Sequence, residues 1–334
     1  MQSKARITSI GTYVPERILH NDDLEKIIDT NDEWIIKRTG IKERRIAAED
    51  EFASTLAFKA VENLIQRSGK TLVDVDGIIV STTTADFVMP SVACLVQARF
   101  DIPQAAAFDF NTACSGFAYA AHIANGLITS GLHKKILLIT TETMSKIMDY
   151  TDRATCILFG DGAAAFLLEY DEVNPSFIAS HYGTNGHGGA HVYCTNLASV
   201  MNGVALKDDG KLVQNGPEVY KWASRTVPEG AKILVAQAKI PLASIDWFVP
   251  HSANLRMIQS ICEKLKHPIE KTLTSVEYYG NTSSVSIPLA LQRGLDDGRL
   301  QNGHTLLLYG FGSGLTYAGH IVKWQLDPQR EQSF

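Results

Sequence analysis

The sequence predicts an α/β protein built from two related halves, each a sheet of buried strands covered by helices. Three observations lead there. Segments separated by a constant 170 residues resemble one another, in the same order along the chain. The short strands are runs of Ile, Val and Leu without polar alternation, as in sheets covered on both faces. Between them lie longer helical stretches, and one of these is small and apolar almost all round.

The repeats carry most of the weight. Leu72–Ser81 reads LVDVDGIIVS and Leu242–His251 reads LASIDWFVPH, while Asn111–Phe117 (NTACSGF) lies over Asn281–Ile287 (NTSSVSI). Lys135–Thr140 (KILLIT) lies over Thr305–Gly310 (TLLLYG) at that same offset. Gly160–Leu168 over Gly314–Val322 falls to an offset of 154, which implies a shorter connection in the second half. Short apolar strands often look alike by chance, but three pairs at one offset in one order argue for duplication. The halves are residues 1–172 and 173–334. Within them GIIVSTTT and KILLITTE are predicted strands, and Ser115 to about Ser130 a predicted helix. That helix, SGFAYAAHIANGLITSG, is expected to be buried as a central layer shared by the two units.

Composition narrows the function classes. With 334 residues, 45% of them hydrophobic and 20% charged, the chain is ordinary globular material. A net charge of −5 is too small for a nucleic-acid binder or an acidic disordered protein. The beginning, MQSKARITSIGTYVPERIL, lacks the apolar run of a signal peptide, and no stretch of about 18 apolar residues occurs. A cytoplasmic protein without membrane insertion is expected. Five cysteines are scattered without a CxxC pair and ten histidines show no zinc spacing, so neither a disulfide scaffold nor structural zinc is expected.

Of those cysteines, Cys114 stands where an extended apolar run turns into the buried helix. A thiol at a helix N-terminus meets unpaired N–H groups and the positive end of the dipole, which lowers its pKa and favours thiolate. The other four cysteines are not expected to share that position. Ala113, Ser115 and Gly116 are small, leaving room for an acyl group. Packing alone would be an equally ordinary use of such a cysteine.

His251, in VPHSAN, follows a predicted buried strand, and Asn281, in YYGNTSS, occupies the position equivalent to Asn111. Each has a plain structural reading, a hydrogen-bonded histidine and a turn or cap asparagine. The duplication places both at strand ends on the side of Cys114, which favours convergence on one site. The glycine-rich YGFGSGLTYAG (Tyr309–Gly319) has no lysine and no GxGxxG–helix context, so it is not read as a phosphate loop. A bare backbone turn beside the cysteine would instead supply an oxyanion donor, the N–H of Ser313.

Taken together, NDEWIIKRTGIKERRI (31–46), TACSG, DRATCILFGDGAAA (152–165), VPHSANLR, YYGNTSS and GFGSG resemble the β-ketoacyl-acyl-carrier-protein synthase III family of the thiolase superfamily, over nearly the whole chain. The resemblance implies a thiolase-like fold in five layers, α-β-α-β-α. It implies a Cys–His–Asn catalytic set at Cys114, His251 and Asn281, with the N–H groups of Cys114 and Ser313 as oxyanion hole. It further implies coenzyme A binding by Trp34 and Arg153 on the adenine, Arg38 on the phosphates, and Asn254. Lys221 and Arg256 would form a basic patch for acyl-carrier protein. A homodimer is implied, with the loop Asp86–Pro90 of one subunit lining the partner's acyl pocket and Met89 at its end, where a flexible side chain admits a branched primer. Two departures stand out: Ser313 where many relatives have glycine, so that a side chain intrudes near the hole, and HSAN where they have HQAN.

The implied reaction is a decarboxylative Claisen condensation. A short acyl-CoA acylates Cys114, and malonyl-acyl-carrier protein then loses CO₂ and attacks, giving β-ketoacyl-acyl-carrier protein and initiating fatty acid biosynthesis. No metal or organic cofactor is called for beyond the coenzyme A thioester substrates. A polyketide-starter or quinolone-type synthase of the same fold stays open, because fold does not fix substrate. So do a cysteine hydrolase and a non-catalytic relative that only binds carrier protein.

Overall fold

The computed structural model describes residues 2–328, so Met1 and residues 329–334, at the outer ends of the two halves, lie outside it. The first sheet contains β1 (Ala5–Tyr13), β2 (Gly77–Ser81), β3 (Ala106–Phe110), β4 (Lys135–Glu142) and β5 (Gly162–Tyr170), in the spatial order β1-β5-β4-β2-β3. Strands β2, β3 and β4 run parallel, and β5 is antiparallel to both β4 and β1. The second sheet contains β6 (Phe177–Thr184), β7 (Trp247–Pro250), β8 (Thr305–Gly312) and β9 (Thr316–Lys323), in the order β7-β8-β9-β6. Here β7 and β8 are parallel, and the other pairings are antiparallel. The apolar runs explain these strands. All eight residues of β4 (KILLITTE) are buried, as a strand covered on both faces requires.

Seven helices matter for the site: α1 (Asp32–Thr39), α2 (Ala53–Ser68), α3 (Val92–Arg99), α4 (Gly116–Thr129), α5 (Gly216–Ala238), α6 (Leu255–Leu265) and α7 (Ser286–Asp296). Helices α2 and α3 cover the outer face of the first sheet, and α5 runs over the second with α6 packed beside it. Between the sheets lie α4 and α7, completing five layers. Small residues make this middle layer possible. Ala118, Ala120, Ala121 and Ala124 of α4 are buried, and Phe117 packs on Phe166 with ring centroids 4.9 Å apart. Each large apolar side chain buried in this way contributes about 1.5–3 kcal/mol. His320 ties the layers together, its Nε2–H donating to the Ala118 carbonyl (2.8 Å) and its Nδ1 facing the Ser180 hydroxyl (2.9 Å). Burial holds its pKa down to about 4, so it serves as a neutral link.

Both central helices begin with the same backbone device. Ala113 (φ +48°) opens a 3₁₀ turn Ala113–Ser115 ahead of α4, and Ser283 (φ +51°) opens Ser283–Val285 ahead of α7. A non-glycine residue with positive φ costs local energy and is held only where its surroundings impose it. The first turn lies just past the carboxyl end of β3, where open α/β sheets leave a crevice, and the second follows the short helix Val276–Tyr279. On the far side β3 is an edge strand hydrogen-bonded only to β2, and Ala106 and Phe108 are exposed on it. Among the described residues no helix is long and apolar enough to cross a membrane.

Candidate active site

A cavity of about 680 Å³ opens where the strand ends of the two sheets meet. Cys114, His251, Asn281, Ser313 and Asn254 all line it. Residues 114, 251 and 281 thus come together from three segments far apart in sequence, each delivered by a different local cause.

Cys114 is carried by the turn between β3 and α4, and it sits in the 3₁₀ turn rather than in the helix itself. The thiol is half-buried. Burial pushes it up to about 12, the Glu142 carboxylate adds repulsion, and a hydrogen bond with the Ser283 side chain opposes both. The expectation that the helix terminus makes this a low-pKa thiol is therefore corrected: desolvation outweighs the dipole, and the resting group is the neutral thiol. Helix position does not single it out either. Cys94 lies in the first turn of α3, with its N–H bonded to the Ser91 hydroxyl, and is more exposed than Cys114. Cys194 lines the cavity but sits on a short exposed strand, and Cys156 and Cys262 are buried elsewhere.

His251 follows β7, its N–H bonded to the Tyr309 carbonyl at 2.8 Å. The imidazole is only 2% exposed and packs edge-on to Phe311, with centroids 5.1 Å apart. Burial pulls its pKa down to about 3, so it is neutral at any physiological pH. Its Nδ1 lies 2.7 Å from the Ser286 hydroxyl, which already accepts the Ser252 N–H at 3.2 Å. A Ser286 hydroxyl that donates to Nδ1 puts the ring's own proton on Nε2, toward the cavity. Ser252, the departure in HSAN, is fully buried, and its hydroxyl accepts the Ser275 N–H at 3.0 Å. It braces the wall behind His251.

Asn281 is held by its backbone against Leu158–Gly160, donating to the Leu158 carbonyl (2.8 Å) and accepting from the Gly160 N–H (3.1 Å). Gly280 permits this approach: its φ is +63°, and a Cβ there would stand 2.6 Å from the Leu158 carbonyl oxygen. The Asn281 carboxamide oxygen accepts the Ser283 N–H at 2.9 Å, which turns the NH₂ outward as a donor.

The glycine loop closes the site from the second sheet. A Cβ on Gly312 would stand 2.8 Å from both the N and the Cβ of Cys114. The expected intrusion of the Ser313 side chain does not occur, because its hydroxyl is turned away and donates to the Val192 carbonyl at 2.5 Å.

Of the remaining predicted residues, all but Asn254 lie outside the cavity. Trp34 on α1 is flanked by the guanidinium groups of Arg153, 4.8 Å from the ring centroid, and Arg38, at 5.4 Å. Arg153 also donates to the Asp29 carbonyl at 2.8 Å. Asn254 lines the cavity and caps α6, accepting the Met257 N–H at 2.8 Å. Lys221 and Arg256 are exposed on the neighbouring helices α5 and α6. Met89 is 79% exposed and does not reach the cavity of its own chain, although Asp86 anchors that loop through the Ser54 N–H (2.9 Å) and hydroxyl (2.6 Å). Among the described residues, no group of three or more His, Cys, Asp or Glu could hold a metal.

One feature was not foreseen. Glu142, the last residue of β4, is fully buried behind Cys114. Its Oε2 accepts the Thr83 N–H (3.1 Å), the Thr83 hydroxyl (2.6 Å) and the Thr84 hydroxyl (3.1 Å). Its Oε1 accepts the hydroxyls of Ser283 (3.2 Å) and Ser284 (2.8 Å). The available signal was a carboxylate ending an otherwise apolar strand, since a buried charge is expensive without a purpose.

Comparison with known proteins agrees with this geometry. Residues 108–186 match the family described as 3-oxoacyl-[acyl-carrier-protein] synthase III, and residues 235–324 match its C-terminal region. The chain is 66% identical to a protein of Bacillus anthracis named β-ketoacyl-[acyl-carrier-protein] synthase III 2, covering 98% of this chain and 100% of that one. It is 63% identical to the Bacillus cereus protein of the same name, again over 98% and 100%. The crystal structure of a Thermus thermophilus β-ketoacyl-[acyl carrier protein] synthase III superposes with a TM-score of 0.92 at 44% identity, covering 96% of this chain and 99% of that one.

Proposed function

Because this chain belongs to the β-ketoacyl-[acyl-carrier-protein] synthase III family, we infer how its own residues carry out the condensation. The protein is a condensing acyltransferase that initiates fatty acid biosynthesis. The observation that carries the division of roles is the convergence of Cys114, His251 and Asn281 on one cavity.

The thiol of Cys114 attacks the carbonyl carbon of a short acyl-CoA. The oxyanion is met by the N–H of Cys114, in a first turn without an i−4 partner, and by the N–H of Ser313 from the closely packed loop. CoA leaves, and malonyl-acyl-carrier protein occupies the same cavity. His251 Nε2–H and the Asn281 NH₂ then donate to the malonyl thioester oxygen, which becomes an enolate as CO₂ departs. Donors that strengthen as charge develops lower the barrier more than they tighten binding. The carbanion attacks the acyl carbon on Cys114 and releases β-ketoacyl-acyl-carrier protein. The primer is a coenzyme A thioester and the extender a carrier-protein thioester, and no step calls on a metal or organic cofactor.

Trp34, Arg38, Arg153 and Asn254 bind the coenzyme A. An adenine enters between Trp34 and Arg153 once the exposed guanidinium swings off the ring. The protein works in the cytoplasm as a homodimer, and two features support the dimer. Among the described residues the outer edge of β3 has no partner strand, and Phe87, Val88 and Met89 form an exposed apolar tip (56%, 85% and 79% exposed). A second copy would bring Met89 to the cavity it cannot reach at home, where its flexible chain favours short branched primers.

The test is a competition of acetyl-, isobutyryl- and isovaleryl-CoA with malonyl-acyl-carrier protein, read by product mass and peptide mapping. The acyl group is expected on Cys114, with a β-ketoacyl-carrier product and higher kcat/KM for the branched primers. An acyl group on Cys94 or Cys194 instead, or free acid as the only product, would refute the assignment. Acetyl-CoA outcompeting both branched primers would refute only the primer preference.

Lys221 and Arg256 form the docking patch for acidic carrier protein. Reversing either charge (Lys221→Glu, Arg256→Glu) is expected to raise KM for malonyl-carrier protein several-fold, less so at high salt, with acylation by acyl-CoA untouched. An unchanged carrier KM in both variants returns them to solvated helix faces.

A further inference from the structure

Glu142 ends a strand of the first half, yet its carboxylate reaches the turn of the second half that serves both enolate donors. Its Oε1 accepts the Ser283 hydroxyl at 3.2 Å and the Ser284 hydroxyl at 2.8 Å. These serines open the 3₁₀ turn Ser283–Val285, between Asn281 and α7. The Ser283 N–H donates to the Asn281 carboxamide oxygen at 2.9 Å, so the set of the turn decides where the Asn281 NH₂ points. At the first residue of α7, the Ser286 hydroxyl stands 2.7 Å from His251 Nδ1 and sets the imidazole. The other carboxylate oxygen, Oε2, is fixed within the first half by the Thr83 N–H (3.1 Å) and the hydroxyls of Thr83 (2.6 Å) and Thr84 (3.1 Å). Thr83 and Ser283 both line the cavity, so this carboxylate bridges the two halves at the cavity wall.

We propose that Glu142 is a positioning residue for decarboxylation, clamping the Ser283–Ser286 turn to the first half so that Asn281 and His251 aim at one oxygen. It touches no substrate and acts only through Ser283 and Ser284. Its five donors are all neutral, so the carboxylate is a hub of hydrogen bonds and not one half of an ion pair. Burial pushes its pKa up, the usual penalty for a carboxyl taken out of water. The backbone is strained where this hold is applied. Ser283 keeps a φ of +51°, which a non-glycine residue retains only where its surroundings impose it.

The nucleophile hangs on separate anchors, which is why the clamp serves one half-reaction and not both. Next to Cys114, the Ser115 hydroxyl donates to the Thr112 carbonyl at 2.7 Å and lies 2.9 Å from the Thr316 hydroxyl. Thr316 in turn donates to the Ser313 carbonyl at 2.8 Å, which ties the oxyanion loop to the same turn. None of these bonds passes through Glu142. After burial, the charge of Glu142 is a further cause holding the thiol up, so losing that charge does not hinder the attack of sulfur.

The inference rests on the condensation assigned above, so acylation of Cys114 in the wild type is read first. Burst acylation by acetyl-CoA and CO₂ release from malonyl-carrier protein are then followed in Glu142→Gln, Ser284→Ala and the double variant Ser283→Ala/Ser284→Ala. Glutamine keeps the shape, and with its oxygen on the fixed Thr83 N–H its NH₂ meets two serines that had donated to the carboxylate. Glu142→Gln and the double serine variant should take the acyl group at the wild-type rate or faster. Their kcat for CO₂ release should fall by about 10²-fold, the scale of a displacement of about 1 Å at a reacting centre, with KM for malonyl-carrier protein unchanged. Ser284→Ala keeps one arm of the clamp and should lose less. In a His251→Ala/Asn281→Ala background, Glu142→Gln should cost nothing more, because the groups it aims are gone. Equal losses in both half-reactions, or a further loss in that background, would mean a general structural role and overturn the clamp. If Glu142→Gln does not fold, the double serine variant, which keeps the carboxylate, decides by the same split. A wild type that takes no acyl group on Cys114 overturns the function and the clamp together, whereas an acylated wild type matched by its variants in CO₂ release overturns the clamp only.

Discussion

Replacing His251 with alanine is expected to leave acylation of Cys114 nearly intact while abolishing decarboxylation and condensation. With its pKa held down to about 3 the imidazole is a very weak base for the thiol, and with its proton on Nε2 it acts as a donor. Donors matter in the second half-reaction, when the malonyl thioester oxygen becomes an enolate. Removing one donor to such an oxygen costs on the order of 10²–10³ in rate. Asn281→Ala should act the same way, and the double variant should lose less than the sum, because both donors serve one oxygen. Burst acylation by mass spectrometry, run beside CO₂ release from malonyl-carrier protein, separates the two steps. A His251→Ala enzyme that cannot be acylated would make His251 the base of a Cys–His pair and end this division of labour.

Gly312→Ala is expected to fail in the opposite manner, losing both half-reactions while the protein stays folded. Its added methyl would stand 2.8 Å from the Cys114 N and Cβ, a separation at which something must shift. The loop then lifts away from the nucleophile and carries the Ser313 N–H with it. A displacement of about 1 Å at a reacting centre can cost 10²-fold, and here both the oxyanion donor and the thiol are displaced. Acylation should fall by about that factor with a cooperative thermal transition retained. Acylation at the wild-type rate would show that the loop relaxes without moving the hole.

Much of the frame could be read in advance because it depends on local pattern. KILLITTE at 135–142 has the apolar run of a doubly covered strand, and its bounds coincide with the observed strand. SGFAYAAHIANGLITSG has the small-residue surface of a buried helix, and the observed helix spans Gly116–Thr129. Its expected start at Ser115 is one residue early. Ala113 adopts a positive φ, which nothing in the residue type signals, and so the thiol lies in a 3₁₀ turn ahead of the helix. The thiol's ionisation was misjudged for a related reason, since the degree of desolvation is set by elements distant in sequence. The contacts of Glu142 with Ser283 and Ser284 span 141 and 142 residues and leave no periodic trace. Positions such as Trp34 and Arg153, which meet from distant parts of the chain, were legible only through family resemblance; charge and burial pattern alone would leave them as a packing aromatic and a solvated cation.

The paired turns ahead of the two central helices also bear on what this scaffold can become. At corresponding steps one turn presents Cys114 and the other Ser284, yet only Cys114 faces the cavity. The hydroxyl of Ser284 is spent on the buried carboxylate at 2.8 Å. A serine-to-cysteine substitution there would therefore create a thiol pointed at Glu142 rather than a second reactive centre. The two halves share a backbone device but are not interchangeable workshops, and new chemistry in this lineage has to be found by reshaping the one cavity, not by awakening a twin.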